Sequence, residues 1–433
     1  MNSASPENTD KKIPRGEICT KPLDSKDPLV LSDTLLTGPF SFLDPKFQKE
    51  KPRLPPPVYL PLSVFAADRP KEKSQILKGL EITDEGELKL TDEETLKKQR
   101  GVVMDVVKRL ASNIMSGKGI VGLSLPVRIF EPRSTLERLC DWWAFAPVYL
   151  PIAAKEKDPI LRMKNVISFT MAGLYVSASQ AKPFNPLLGE TYQAKFEDGT
   201  EIYCEHTSHH PPIANFLLIN PEFKYYGRYE FVAKLSNNTL YIQQEGPNYV
   251  EFKDGHKIQF HLPGIKVNGM LWGDRTVYYN SIAKFEDPKN KIKAVIKMAS
   301  GAHKGGFFSS KKKEHDTYEG KLYYYNPEAE HKNFKNKKDE DKEDLKFKDL
   351  EKEICDITGS FLGNLKFGNE EYWNIDKFQP ASYKPVEDPL PSDVRFREDL
   401  IWLKYGNLKN AEDWKIRLEE QQRHDRKMRG RDK

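Results

Sequence analysis

The sequence predicts a mainly β protein with helical additions, built as a large antiparallel barrel or sandwich. Three observations carry that expectation. From Ile120 to about Pro385, short β-prone runs follow one another, separated by Gly, Asn and Asp turns. A single helical interlude breaks this region, and beyond Pro389 the chain turns helical and strongly charged.

Taken in order, residues 1–90 are rich in Pro, Lys, Asp and Ser, include the run Pro55-Pro56-Pro57, and sustain no period. They read as a flexible N-terminal arm. Residues 91–117 read as an amphipathic helix. Thr91 followed by Glu94 forms a capping box, and Val103, Val106, Val107, Leu110 and Ile114 recur at helical spacing up to Gly117. The polar side carries Lys97, Lys98, Arg100, Lys108 and Arg109. Such a helix either packs permanently on the core, covers an apolar opening as a lid, or lies on an anionic bilayer. Gly101 within it costs about 1 kcal/mol relative to Ala and eases bending.

Residues 118–388 form the β core, with runs such as TYQAKF, EIYCEH, YYGRYEFVAKL and IKVNGMLWG. The helical interlude, Ser134 to about Ser179, contains the aromatic stretch DWWAFAP. Residues 329–352 are a run of mixed charge, read as a solvated insertion, and 389–433 form a C-terminal helical segment.

Composition narrows the function. Hydrophobic residues make up 38% and charged residues 31% of the 433, enough for a large core confined to part of the chain. No apolar run reaches membrane-spanning length and the first 30 residues lack a signal-like stretch, so a cytosolic protein, peripheral to membranes, is expected. Cys19, Cys140, Cys204 and Cys355 lie far apart and suggest neither disulfides nor a zinc site. A net charge of +5 permits contact with anionic membranes and gives no argument for nucleic acid. No cofactor is indicated.

Three segments carry candidate chemistry. In EHTSHHPP, Pro211 and Pro212 constrain the backbone after His209 and His210, holding two imidazoles at a strand end. An adjacent pair of this kind is structural, metal-binding or anion-binding; no HExxH or HxH pattern supplies further ligands. In KPFNPLLGET, prolines on both sides of Asn185 forbid helix and present Lys182 and Asn185 from a rigid turn. Lys415, Glu419 and Arg423 recur every four residues on a helix that Asn410 is placed to cap, so they share one face. Alone, that ladder is an exposed set of ion pairs worth a few tenths of a kcal/mol each.

Together the three resemble the oxysterol-binding protein family. EHTSHHPP is similar to that family's EQVSHHPP fingerprint, KPFNPLLGET to its KPxNPxLGE segment, and the Lys-x-x-x-Glu-x-x-x-Arg ladder to its third element. LSLPVRIFEPRS, WWAFAP and GGFFSSKKK extend the resemblance over roughly residues 93–430. It implies an incomplete many-stranded barrel around a hydrophobic tunnel, with an N-terminal lid and C-terminal helices. It also implies that Lys182, Asn185, His209, His210, Lys415, Glu419 and Arg423 bind phosphatidylinositol 4-phosphate, the cations neutralising phosphate and the histidines donating hydrogen bonds.

The chain departs from the fingerprint at His206 and Thr207; in an extended segment His206 is expected on the face opposite Ser208, with modest effect. A pleckstrin-homology domain is not expected before residue 90, and no acidic-tract docking motif stands out. The resemblance implies a monomeric carrier that exchanges phosphatidylinositol 4-phosphate for a sterol or phosphatidylserine during transient contact with anionic membranes. The alternatives are a lipid sensor or scaffold without net transfer, and a metal-dependent lipid hydrolase; no GxSxG motif supports the latter.

Overall fold

The computed structural model describes residues 73–97, 99–102, 104, 125–177, 181–299, 301–302, 313–329 and 344–428. Most of their strands build one antiparallel sheet of 18. It starts as a meander of Thr191–Phe196, Glu201–His209, Pro212–Asn220 and Phe223–Ser236. The last of these, 14 residues long, changes partner along its length. Its first half pairs with Asn248–Phe252 and its second with Thr239–Glu245. Gly227 lies at the switch, where a Cβ would come within 2.9 Å of the Phe216 ring.

From this fork, one branch runs through Lys257–His261, Ile282–Asp287, Ile292–Met298, Thr317–Tyr325, Leu350–Ser360 and Asn364–Phe367 to Glu370–Asn374. The other runs through Gly264–Val267 and Thr276–Asn280 to Leu88–Leu90 and Leu80–Ile82. Tyr383–Pro385 borders Thr191–Phe196 on the far side. Among the described residues the terminal strands Glu370–Asn374 and Tyr383–Pro385 do not pair with each other, so the sheet of this mainly β fold is left open, an incomplete barrel.

The helical interlude is present as Thr135–Leu139, a 3₁₀ turn at Cys140–Trp143, Ala146–Lys155, Pro159–Ala172 and Leu174–Ser177. Ser134 and Asp158 cap two of these segments through bonds to the amides of Leu136 and Ile160. Their aromatic side chains join distant strands. Trp143 stacks on Phe216 at 4.6 Å, and Tyr175 on Trp373 at 5.7 Å. Truncating buried rings of this size typically costs about 3–5 kcal/mol.

Three boundaries differ from expectation. The arm assigned to residues 1–90 ends earlier, because 80–90 supply two strands and Leu88 is fully buried. Two three-residue strands are too short for any period to register. The helix after them starts at 93, and its cap is Asp92, whose carboxylate accepts from Glu94 N and Thr95 N. Thr91 turns away, its hydroxyl donating to Gly79 O.

The charged insertion 329–352 is also only partly solvated. Asp344 bonds Lys284, while Asp349, 8% exposed, pairs with the buried Lys293 and accepts from Tyr323. Carboxylates that looked like solvated charge thus serve lysines brought inward by the sheet. Residues 330–343, and the lid positions Val103, Val106, Val107, Leu110 and Ile114, lie outside the described residues.

Candidate headgroup site

Lys182 opens a short strand, Lys182–Phe184, that runs parallel to Phe130–Ser134. The two strands stack Phe130 on Phe184 at 4.7 Å. This pair of rings is a shelf for cations: Lys182 Nζ lies 5.1 Å and Lys415 Nζ 5.6 Å from the Phe130 centroid, and the Arg397 guanidinium lies 5.0 Å from Phe184. Lys182 donates to Asn185 Oδ1 at 2.9 Å, and Lys415, 3% exposed, pairs with Glu419. The stretch around Lys182 and the C-terminal helix Leu408–Met428 therefore converge on one aromatic surface.

The third stretch reaches the same place. His209 ends strand Glu201–His209 and faces Pro212 across a turn in which the His210–Pro211 peptide is cis. Gln422, one turn along from Glu419, points its amide nitrogen at His209 Nδ1 (3.1 Å) and at Pro186 O (3.5 Å). His206 Nε2 approaches the same Nδ1 at 3.3 Å. The Gln422 amide donating to Nδ1 places the His209 proton on Nε2, the tautomer suited to donating to an anion. His210 is exposed beside it, ring centroids 4.7 Å apart. Arg423 lies partly exposed on the same helix.

His206 corrects an expectation. Residues two apart on a strand share a face, so His206 (2% exposed) points inward with Ser208 (6%) and packs on His209. Burial first, then the charges of His209 and Arg397, pushes its pKa down to about 3, so it is a neutral support for its neighbour. Asn410 is also not the helix cap: Asn407 Oδ1 accepts from Asn410 N at 3.0 Å, directly after the helix-ending Gly406.

Beneath the site lies a buried network that pattern reading missed. Glu190, fully buried, accepts from the Ser134 hydroxyl, from Leu187 N (2.9 Å) and from Arg397 (2.8 Å). Arg397 also holds Asn185 O at 2.8 Å and grips Asp399 through both carboxylate oxygens. The backbone around Glu190 pairs with His206, through His206 N to Glu190 O and Gly189 N to His206 O. Glu190 and Arg397 are 207 residues apart, and only the glutamate belongs to a motif.

Two lysines lie beside one ring, Lys182 bonded to the neutral Asn185 and Lys415 paired with the acidic Glu419. Burial foremost, and repulsion from Lys415 next, brings Lys182 down to about 8. A phosphate dianion against it would restore the proton. Binding of a phosphate ligand is therefore expected to take up about half a proton near pH 8, and affinity to fall as pH rises above 8, up to tenfold per unit. Calorimetry in two buffers of different ionisation enthalpy checks this; zero uptake would remove Lys182 from contact with the anion. Phosphate monoesters are already dianions above pH 7 and add no proton change there.

A family profile described as oxysterol-binding protein matches residues 107–433. Oxysterol-binding protein 9 of Dictyostelium discoideum is 36% identical over 348 residues, covering 79% of each chain. Among solved structures, the Osh3 ORD of Saccharomyces cerevisiae in complex with PI(4)P superposes with a TM-score of 0.56 at 22% identity, covering 76% of this chain and 85% of that one. The Osh1 ORD in complex with cholesterol gives 0.52 at 22%, covering 71% and 76%. At that identity the structural likeness speaks to the fold. With the profile spanning most of the chain, and a relative above a third identical along four-fifths of it, the chain belongs to the oxysterol-binding protein family.

Proposed function

We propose that this chain is a lipid transfer protein: it binds phosphatidylinositol 4-phosphate by its headgroup and exchanges it for a second lipid, a sterol or phosphatidylserine, between membranes. The observation that carries the reading is the meeting of three stretches. Lys182 and Asn185, His209, and Lys415 with Glu419 come together although they span more than 230 residues of chain. Each type has a use there. Lysines and Arg423 neutralise phosphate, His209 and His210 donate, and Glu419 holds Lys415 or accepts from inositol hydroxyls. PI(4)P and cholesterol in the Osh3 and Osh1 structures support the two ligand classes.

In this scheme the acyl chains or sterol occupy the interior of the open barrel, and the helix around 91–117 covers them. Enclosure matters because each exposed methylene costs about 0.8 kcal/mol in water. Loading hides lipid and lid together and so favours release from the membrane. No helix among the described residues is long and apolar enough to cross a membrane, in keeping with transient contact.

The hydrolase alternative draws no support from the geometry: among the described residues, His209 and His210 belong to no cluster of three potential metal ligands. Transfer is separated from mere sensing by donor liposomes carrying phosphatidylinositol 4-phosphate and acceptors carrying sterol or phosphatidylserine. The expected result is counter-movement of both lipids. Binding without delivery would establish a sensor instead.

A further inference from the structure

A second concentration of positive charge lies outside this site. Arg275, 4% exposed, precedes strand Thr276–Asn280. Its Nε donates to Gly269 O (3.1 Å), Nη2 to Met270 O (3.3 Å) and Nη1 to Gln99 Oε1 (2.9 Å). The guanidinium thus joins the 268–275 loop to the helix beginning at 93. The loop is fixed independently: Asn238 Oδ1 accepts from Leu271 N (2.7 Å) and Trp272 N (3.3 Å), and its amide donates to Trp272 O (2.8 Å). Gly269, at φ +66°, has no room for a side chain, since a Cβ would lie 1.9 Å from Asp274 O.

Arg100 follows Gln99 on the helix. Its Nε and Nη2 are sealed from solvent and have no hydrogen-bond partner. Carboxylates near in the chain are committed elsewhere, Asp274 to Lys89 at 3.0 Å and Glu87 to His315 at 2.6 Å. Arg275 itself has no acidic partner among the described residues. Burial, reinforced by the charge of Arg100, brings Arg275 down to about 10. Each guanidinium carries five N–H donors in a planar fork; Arg275 uses three of its nitrogens, whereas Nε and Nη2 of Arg100 are unbonded, and sealing a cation's donors from water is costly unless an anion joins them. Orphaned donors on one side of a junction and a rigidly anchored guanidinium on the other are what a phosphate would bridge.

We infer that Arg100 and Arg275 form a second anion-binding site, made of residues other than those of the headgroup site, which takes a phosphate group and clamps the helix from 93 onto the 268–275 loop. The group is either free phosphate or the phosphate of a lipid. The site stands whether or not the transfer reading holds.

The test uses the full chain, inorganic phosphate and water-soluble dioctanoyl lipids. At constant ionic strength, millimolar phosphate is expected to raise the melting temperature of the wild type and of His209→Ala/His210→Ala, and to raise that of Arg100→Gln less, by only what the headgroup site confers. In chloride alone Arg100→Gln is expected to melt at or above the wild type, because it removes cationic donors sealed from solvent without partners. A tenfold or greater loss by Arg100→Gln in calorimetric binding of dioctanoyl phosphatidylserine assigns the site to lipid phosphate. The same loss with inorganic phosphate alone assigns it to the free anion. The inference is overturned if Arg100→Gln melts lower and keeps the phosphate response, if phosphate stabilises none of the proteins, or if the response vanishes in the histidine variant while persisting in Arg100→Gln. Arg275→Gln repeats the test from the sheet side.

Discussion

His209→Ala combined with His210→Ala lowers extraction of phosphatidylinositol 4-phosphate from liposomes by about 100-fold or more, while the melting temperature stays near that of the wild type. The size follows from two hydrogen bonds to a charged phosphate, each contributing about 1.5–3 kcal/mol, where 1.4 kcal/mol is a factor of ten. The fold survives because His210 is exposed and His209 only partly buried, with Gln422, His206 and His210 among its side-chain contacts. A liposome sedimentation assay run beside circular dichroism separates the two effects. Wild-type extraction by a well-folded double variant would remove the histidines from the headgroup.

The second large effect concerns stability. Arg397→Ala leaves Glu190 and Asp399, both fully buried, without their shared cation, and is expected to destabilise the protein by about 3–5 kcal/mol at neutral pH. Its pH dependence has a definite sign. Burial already raises the Glu190 pKa despite Arg397, and removing the arginine raises it further. The folded variant then binds more protons than the unfolded chain, whose glutamates titrate near 4.3, so stability increases as pH falls toward that value and is lost as pH rises. Urea unfolding at pH 5 and pH 7 should show the variant closer to the wild type at the lower pH. An equal deficit at both would mean that the loss is one of packing on Phe184, not of charge compensation.

The two effects differ because the residues occupy different layers. The histidines lie where a ligand can reach them, whereas Arg397 works underneath, holding Asn185 O and Glu190 so that the strand Lys182–Phe184 and the turn after it keep their place. A variant of Arg397 is therefore expected to lose lipid binding only as a consequence of losing structure.

Some of this was legible from local chemistry. Proline placement in SHHPP and KPFNP revealed constrained backbone, and the i, i+4 spacing of Lys415, Glu419 and Arg423 put them on one helix face. Alternating β-prone runs announced the sheet, and the DWWAFAP stretch announced the helices. Each of these depends on a few consecutive residues, the range over which φ/ψ limits and side-chain periodicity act.

What only the tertiary structure decided was partnership. Phe130 and Phe184 are ordinary strand residues until parallel pairing stacks them beneath Lys182 and Lys415. Gln422 becomes a support for His209 only because the C-terminal helix docks on the strand end. Arg397 looked like one more charge in a charged tail, yet burial makes it the counter-ion of Glu190. The physical reason is that chain connectivity sets which residues are neighbours in sequence, whereas burial of apolar surface and satisfaction of buried charge set which are neighbours in space. Local pattern determined the strands, turns and the helix face; docking of the C-terminal helix against the sheet decided which of their side chains meet.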